Sequence, residues 1–153
     1  MESLPQTIIH DKIYDLRGLK VMLDSDLASL YQVETRRIME QVNRNIEKFP
    51  NDFMFQLTKD EFENLKSQNA TSSWGGTRKL PHVFTEQGVY MLATVLKSKV
   101  ATDVTINIMR TFTKLREFAL TYKDIIIALK NLKEDLKLIL NILKQLLNYF
   151  LKY

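Results

Sequence analysis

The chain has 153 residues, of which 45% are hydrophobic, 26% charged and 10% aromatic, enough for one compact domain, alone or with an appendage, and too apolar for a disordered polymer. Four glycines and three prolines exclude collagen-like and Pro/Gly-rich classes, and the absence of cysteine excludes disulfides, thiolate metal sites and cysteine nucleophiles. The net charge of +4 and a pI near 9.2 permit a polyanionic partner without demonstrating one.

No basic stretch followed by an apolar run opens the sequence, and lysines and acids interrupt the most apolar segment, Ile125 to Phe150. The expectation is therefore a soluble cytoplasmic protein with neither signal peptide nor membrane span.

In chain order, Ile8–Ile13 and Leu19–Leu23 read as the strands of a small hairpin around Asp15-Leu16-Arg17-Gly18, where Gly18 supplies a positive φ. Asp24 or Ser25 is placed to cap a helix carrying Leu27, Leu30 and Tyr31. After a break at Gln32-Val33-Glu34, Thr35 is placed to cap a second helix whose apolar face is Ile38, Val42 and Ile46. Pro50 closes that region. Phe53–Leu57 reads as a strand, and Thr58 with Glu61 forms a capping box for a helix to about Ser67. Gln68–Lys79 is polar and glycine-bearing, a loop or β-wing. Thr85 caps a helix with Val89, Leu92 and Leu96, and a further helix starts near Val100 and can run unbroken to the end.

The last helix has the sharpest pattern. Leu115, Phe118, Tyr122, Ile125, Leu129, Leu132, Leu136, Ile139, Leu143, Leu146, Phe150 and Tyr153 recur in steps of three and four, a heptad pattern. At about 1.5 Å per residue this helix is about 55–60 Å long, more than one small domain can cover. Self-association is the expected use, with dimer, trimer, tetramer, a hairpin-folded bundle and a helix folded back on its own domain all open. The lysines and the apolar face also suit an anionic membrane surface, but the unbroken 3–4 spacing argues for a protein partner.

Residues 26–38 and onward fit a helix-turn-helix, with small Ala28 where the helices cross, Val33 plugging the turn into the core, and Ile38 and Val42 anchoring the second helix. Gln32 stands where many such turns carry glycine. On the free face of the second helix the pattern places Thr35, Arg36, Arg37, Gln41, Arg44, Asn45 and Lys48, the side-chain types that read base edges and phosphates. A solvated charged helix has the same residues. Ser72, Ser73, Trp74, Arg78 and Lys79 form a second candidate, with hydroxyls and cations for phosphate contact. Trp74 either stacks on nucleic acid or pins its loop to the core. The carboxylate clusters suit helix N-termini and solvated faces, while His10 and His82 share no motif, so no catalytic site, metal or cofactor is expected.

Arg17-Gly18-Leu19-Lys20-Val21-Met22-Leu23-Asp24-Ser25-Asp26-Leu27-Ala28 resembles the opening of the ORF-six N-terminal domain family, a phage and prophage group related to KilA-N domains. Asn43-Arg44-Asn45-Ile46-Glu47-Lys48-Phe49-Pro50, the Phe53–Thr58 run, Ala70-Thr71-Ser72-Ser73-Trp74-Gly75-Gly76 and Phe84-Thr85-Glu86-Gln87-Gly88-Val89 continue the resemblance in order. It implies an α+β DNA-binding module over residues 8–96, after a lead at 1–7. It does not reach the tail, so the helical extension at 97–153, with an oligomerisation helix at about 115–153, rests on periodicity alone. It implies further a regulator or antirepressor acting on double-stranded DNA, or one docking on a phage or host regulator without touching DNA.

Overall fold

The computed structural model describes residues 6–69 and 79–152. The fold is α+β, with a four-stranded antiparallel sheet, short helices and one long C-terminal helix. The chain divides into two units, one ending at Phe112 and one beginning at Thr113.

The elements of the first unit are α1 (Gln6–His10), β1 (Tyr14–Leu16), β2 (Leu19–Leu23), α2 (Asp24–Tyr31), α3 (Thr35–Arg44), a 3-10 turn (Ile46–Lys48), β3 (Met54–Gln56), α4 (Lys59–Asn69), β4 (His82–Thr85), α5 (Glu86–Leu96) and the start of α6 (Lys99–Lys152). The sheet order is β1-β2-β4-β3. β4 pairs Phe84 with Met22 on one side and with Met54 on the other, so it is a central strand.

Alternation along these strands builds two cores. Met22 and Phe84 point to one face and pack with Ile9, Leu27, Ile38, Val42, Val89, Leu92 and Ile108. Val21, Leu23 and Val83 point to the other and pack with Leu57 and with Phe62 and Leu65 of α4. That period of two is the ordinary consequence of a pleated strand buried on both faces. Phe49 stands edge-on to Phe84 with ring centroids 6.0 Å apart.

The hairpin forms, but its first strand is Tyr14–Leu16, whereas Ile8–Ile13 is largely helix and turn. Arg17 and Gly18 both have positive φ, 52° and 73°, giving a two-residue turn that sets Leu16 opposite Leu19. One buried residue, Ile9, suffices to seat α1 on the core.

Neither Asp24 nor Ser25 caps α2. Leu23 is the N-cap, and the buried Asp24 carboxylate instead accepts the Ser25 N–H at 2.7 Å and the His82 N–H at 3.1 Å, tying α2 to β4. Burial raises the Asp24 pKa against the lowering effect of those two bonds. The capping box at Thr58 and Glu61 closes as expected, with Thr58 N–H to Glu61 at 2.9 Å and Glu61 N–H to Thr58 Oγ1 at 3.2 Å.

Thr85 joins β4 to α5 and holds the neighbouring segment as well. Its hydroxyl donates to the Asp52 carbonyl at 2.8 Å and accepts from the Gly88 N–H at 3.4 Å. Gly88 is required there, because a Cβ would overlap the Phe53 carbonyl oxygen.

The first turns of α6 belong to this unit through Ala101, Val104, Ile108 and Phe112, all buried. Tyr31 reaches them with a hydrogen bond of 2.9 Å between its hydroxyl and Thr105 Oγ1, and burial pushes the phenol up to about 12.

The second unit is the remainder of α6. No residue described there is buried, and Leu129, Leu136 and Leu143 are 56%, 58% and 56% exposed.

A candidate nucleic-acid interface on the third helix

α2 and α3 are joined by three residues, Gln32-Val33-Glu34. Gln32 itself takes the left-handed conformation, with φ 59° and ψ 42°. Its N–H donates to the Ser29 carbonyl at 3.3 Å and the Val33 N–H donates to the Ala28 carbonyl at 3.0 Å. This pair of bonds is the Schellman ending of a helix, achieved here without glycine. Ala28, 3% exposed, keeps the helices close. Val33 does not plug the core. It is 37% exposed, because the Schellman turn uses its N–H and leaves the side chain outside.

α3 begins one residue earlier than a Thr35 cap requires. Glu34 is the N-cap, without a side-chain bond, and Thr35 is the first helical residue. Ile38 and Val42 are fully buried, one turn apart, and anchor the helix. Ile46 does not extend that stripe. α3 ends at Arg44, the chain tightens into the 3-10 turn, and Ile46 is left 54% exposed while Phe49 takes the core position at 4%.

Successive residues turn by about 100° on a helix, so the face opposite Ile38 and Val42 carries Arg36, Arg37, Glu40, Asn43 and Arg44, with Gln41 on its flank. Arg36, Arg37 and Arg44 are exposed and Gln41 is half-buried. Among the described residues neither Arg37 nor Arg44 has an acidic partner. Arg36 Nη2 lies 3.8 Å from Glu34 and its Nε lies 3.8 Å from Glu40, with the guanidinium side chain 77% exposed. Contacts of that length at that exposure are loose and leave Arg36 free to swing to another anion.

The remaining predicted positions do not join this face directly. Thr35 is half-buried on the side of Ile38 and Val42. Asn45 is half-buried too, and its amide donates to the Gln41 carbonyl at 2.8 Å. Lys48 is exposed in the 3-10 turn beyond the helix. Lys79 is exposed, while Ser72, Ser73, Trp74 and Arg78 lie outside the described residues.

Glu40 was absent from the sequence-predicted set. It stands four residues from both Arg36 and Arg44, so one ridge reads Arg-Glu-Arg and is less positive than the arginines alone suggest. The i, i+4 spacing signals this once the helix is placed.

Elsewhere Asp26 and Glu61 have structural partners. Lys12 Nζ bonds Asp26 Oδ1 at 3.2 Å, and Arg17 grips Glu61 through two bonds of 2.7 and 2.8 Å. Among the described residues no cluster of histidine and carboxylates could hold a metal ion, and no helix is long and apolar enough to cross a membrane.

The seam residues of α6 fall in the second unit. Leu115 is half-buried. Phe118, Tyr122, Ile125, Leu132, Ile139, Leu146 and Phe150 are all exposed, from 48% at Leu146 to 72% at Phe150. Tyr153 lies outside the described residues.

Two comparisons with known proteins returned nothing: no curated protein and no solved structure matches the chain. The third returned the ORF6N domain, whose family model matches residues 11–95. That match begins just before the hairpin and ends within α5, taking in the whole sheet and the α2–α3 pair, and the chain therefore belongs to the ORF6N domain family.

Proposed function

We propose that this protein is a non-enzymatic, double-stranded DNA-binding regulator or antirepressor of phage or prophage type, self-associating through α6. The observation that carries the reading is the division of α3. Ile38 and Val42 are sunk at 0% exposure beneath a face of Arg36, Arg37 and Arg44, with Gln41 at its edge. A helix held from beneath in this way, preceded by a second helix and a three-residue turn, can enter a major groove. Its arginines suit guanine edges and Gln41 suits adenine. Lys48, four residues past the helix in the 3-10 turn, suits phosphate, Ser72, Ser73, Arg78 and Lys79 are assigned to the backbone as well, and Trp74 to stacking on sugar or base. Thr35 and Asn45 act from the ends of the helix, Thr35 by seating its first turn and Asn45 by closing its last.

The test is fluorescence anisotropy of a labelled duplex over a salt series, followed by selection on random DNA. Log affinity should fall linearly with log salt concentration. Arg44→Ala should cost about 1–3 kcal/mol on the selected site if the arginine meets a guanine, and Lys48→Ala should weaken all duplexes alike and reduce the salt slope by about one. Wild-type affinity in both variants would remove α3 as the reading element. A folded protein that ignores DNA at low salt would favour the competing reading, docking on a phage or host regulator.

A further inference from the structure

The seam of α6 carries more than a statement that the helix associates. Steps of three and four from Leu115 put Leu115, Tyr122, Leu129, Leu136, Leu143 and Phe150 at heptad position a. No a position holds a β-branched residue, and the two β-branched seam residues, Ile125 and Ile139, both stand at d. Two-stranded coils favour the reverse arrangement, whereas leucine at a with isoleucine at d favours three or four strands.

The flanking columns weigh toward the larger number. In a two-stranded coil e and g lie at the rim and are commonly charged. Here Leu140 and Leu147 at e and Ile142 at g are apolar, with exposures of 51%, 59% and 48%. Each strand of a three-stranded bundle sees its two neighbours about 60° apart, and of a four-stranded bundle about 90° apart, so the wider angle turns e and g inward more completely. On the far side the b column carries Lys123, Lys130, Lys137 and Lys144 every seventh residue, a stripe that stays in water.

Direction follows from two charges. Lys133 occupies an e position and Asp135 a g position, the two charged residues of those columns. In a parallel bundle e of one strand faces g of the next, and in register Lys133 is offset from a neighbour's Asp135 by about 3 Å of axial rise. Reversing one strand places e against e and g against g. Overlapped along the whole 115–150 seam, antiparallel strands would set Lys133 within one residue of a neighbour's Lys133, like charge against like.

We infer that residues 115–150 of four copies of this chain assemble as a parallel, in-register bundle. The inference deepens the self-association in the proposed function and does not depend on its DNA-binding part. Light scattering on the full chain at tens of micromolar, without DNA, should return four times the 18.0 kDa chain mass. A monomer, dimer or trimer mass overturns it. The chain has no cysteine, so direction is read with Leu146→Cys and Leu132→Cys, each checked for unchanged mass under reduction and then oxidised. Both should cross-link between copies if the strands are parallel. Cross-linking at Leu132→Cys alone would show antiparallel strands, since position 132 is near the middle of the seam and position 146 is not. Cross-linking at neither would show that this seam is not the contact. A tetramer that fails to bind DNA refutes the DNA reading and leaves the bundle standing. A monomer that binds DNA does the opposite.

Discussion

Two parts of one helix meet opposite fates. In α6, Ala101, Val104, Ile108 and Phe112 recur at helical spacing and are 0% to 5% exposed, packed into the first unit. Leu129, Leu136 and Leu143 recur just as regularly beyond Phe112 and are more than half exposed. Helical spacing of apolar residues states that a face needs cover. It does not state what supplies the cover. For the first stretch the answer is the same chain. For the second it is, on the reading proposed above, further copies.

The sharpest way to break this contrast is to truncate one residue on each side. Ile108→Ala should cost about 2–5 kcal/mol, because the side chain is fully buried and a cavity is left behind. That loss should appear in urea denaturation at every protein concentration. Leu136→Ala should leave the first unit's stability unchanged and act through association, so that its effect on melting depends on concentration. A concentration-independent loss from Leu136→Ala would place that residue in a fold of the single chain.

Two glycine substitutions then measure how tightly the first unit is fitted. Gly88→Ala should destabilise by about 3 kcal/mol, at the upper end of the usual overpacking range, because the new methyl meets the backbone of Phe53 rather than a movable side chain. Gly18→Ala has open space around it and a φ of +73°, so it should cost only about 1 kcal/mol of backbone strain. Equal melting temperatures for the two variants would show that the β4–α5 junction relaxes.

Which features could be read in advance follows the same division between local and distant causes. The Thr58–Glu61 box, the Thr85 cap and the unbroken α6 rest on contacts within a few residues, and the burial of Ile38 and Val42 on their local helical spacing, and all were legible. β4 was not, because His82–Thr85 is four residues long and becomes a strand only by pairing with both β2 and β3. Asp24 looked like a cap, but β4 brings the His82 N–H to its carboxylate. Ile46 continued the stripe of α3 on paper, yet the chain turned one residue past Arg44 to seat Phe49. Val33 was misplaced because Gln32 adopts a conformation usually left to glycine. At the candidate interface, residue types were legible and their grouping was not. Thr35 and Asn45 turn away from the face that holds Arg37 and Arg44, and Glu40 turns into it.

The smallest expected effect compares one ion pair from each unit. Arg17 holds Glu61 through two short bonds and lies 4.1 Å from the centre of the Phe55 ring, whereas Lys137 and Glu134 in the second unit are 3.7 Å apart on an open helix. The Arg17 hydrogen bonds draw the Glu61 carboxyl down to about 2 from an ordinary value of 4.5. A lowered carboxylate pKa means that the unfolded chain binds the proton first, so the stabilisation is present above about pH 4.5 and is lost as pH falls toward 2. Asp24 and Asp26 act in the opposite sense, since burial raises their pKa values and protonation favours the folded state. The wild-type acid limb is therefore a sum of opposed terms, and the Glu61 contribution is read as the difference from Glu61→Gln. Urea midpoints for the two proteins should separate at pH 6 and converge toward pH 3. Glu134→Gln should track wild type at both, because an exposed pair at that distance contributes little. A gap between wild type and Glu61→Gln that persists unchanged at pH 3 would mean that the glutamate stabilises the hairpin and α4 by shape rather than by charge.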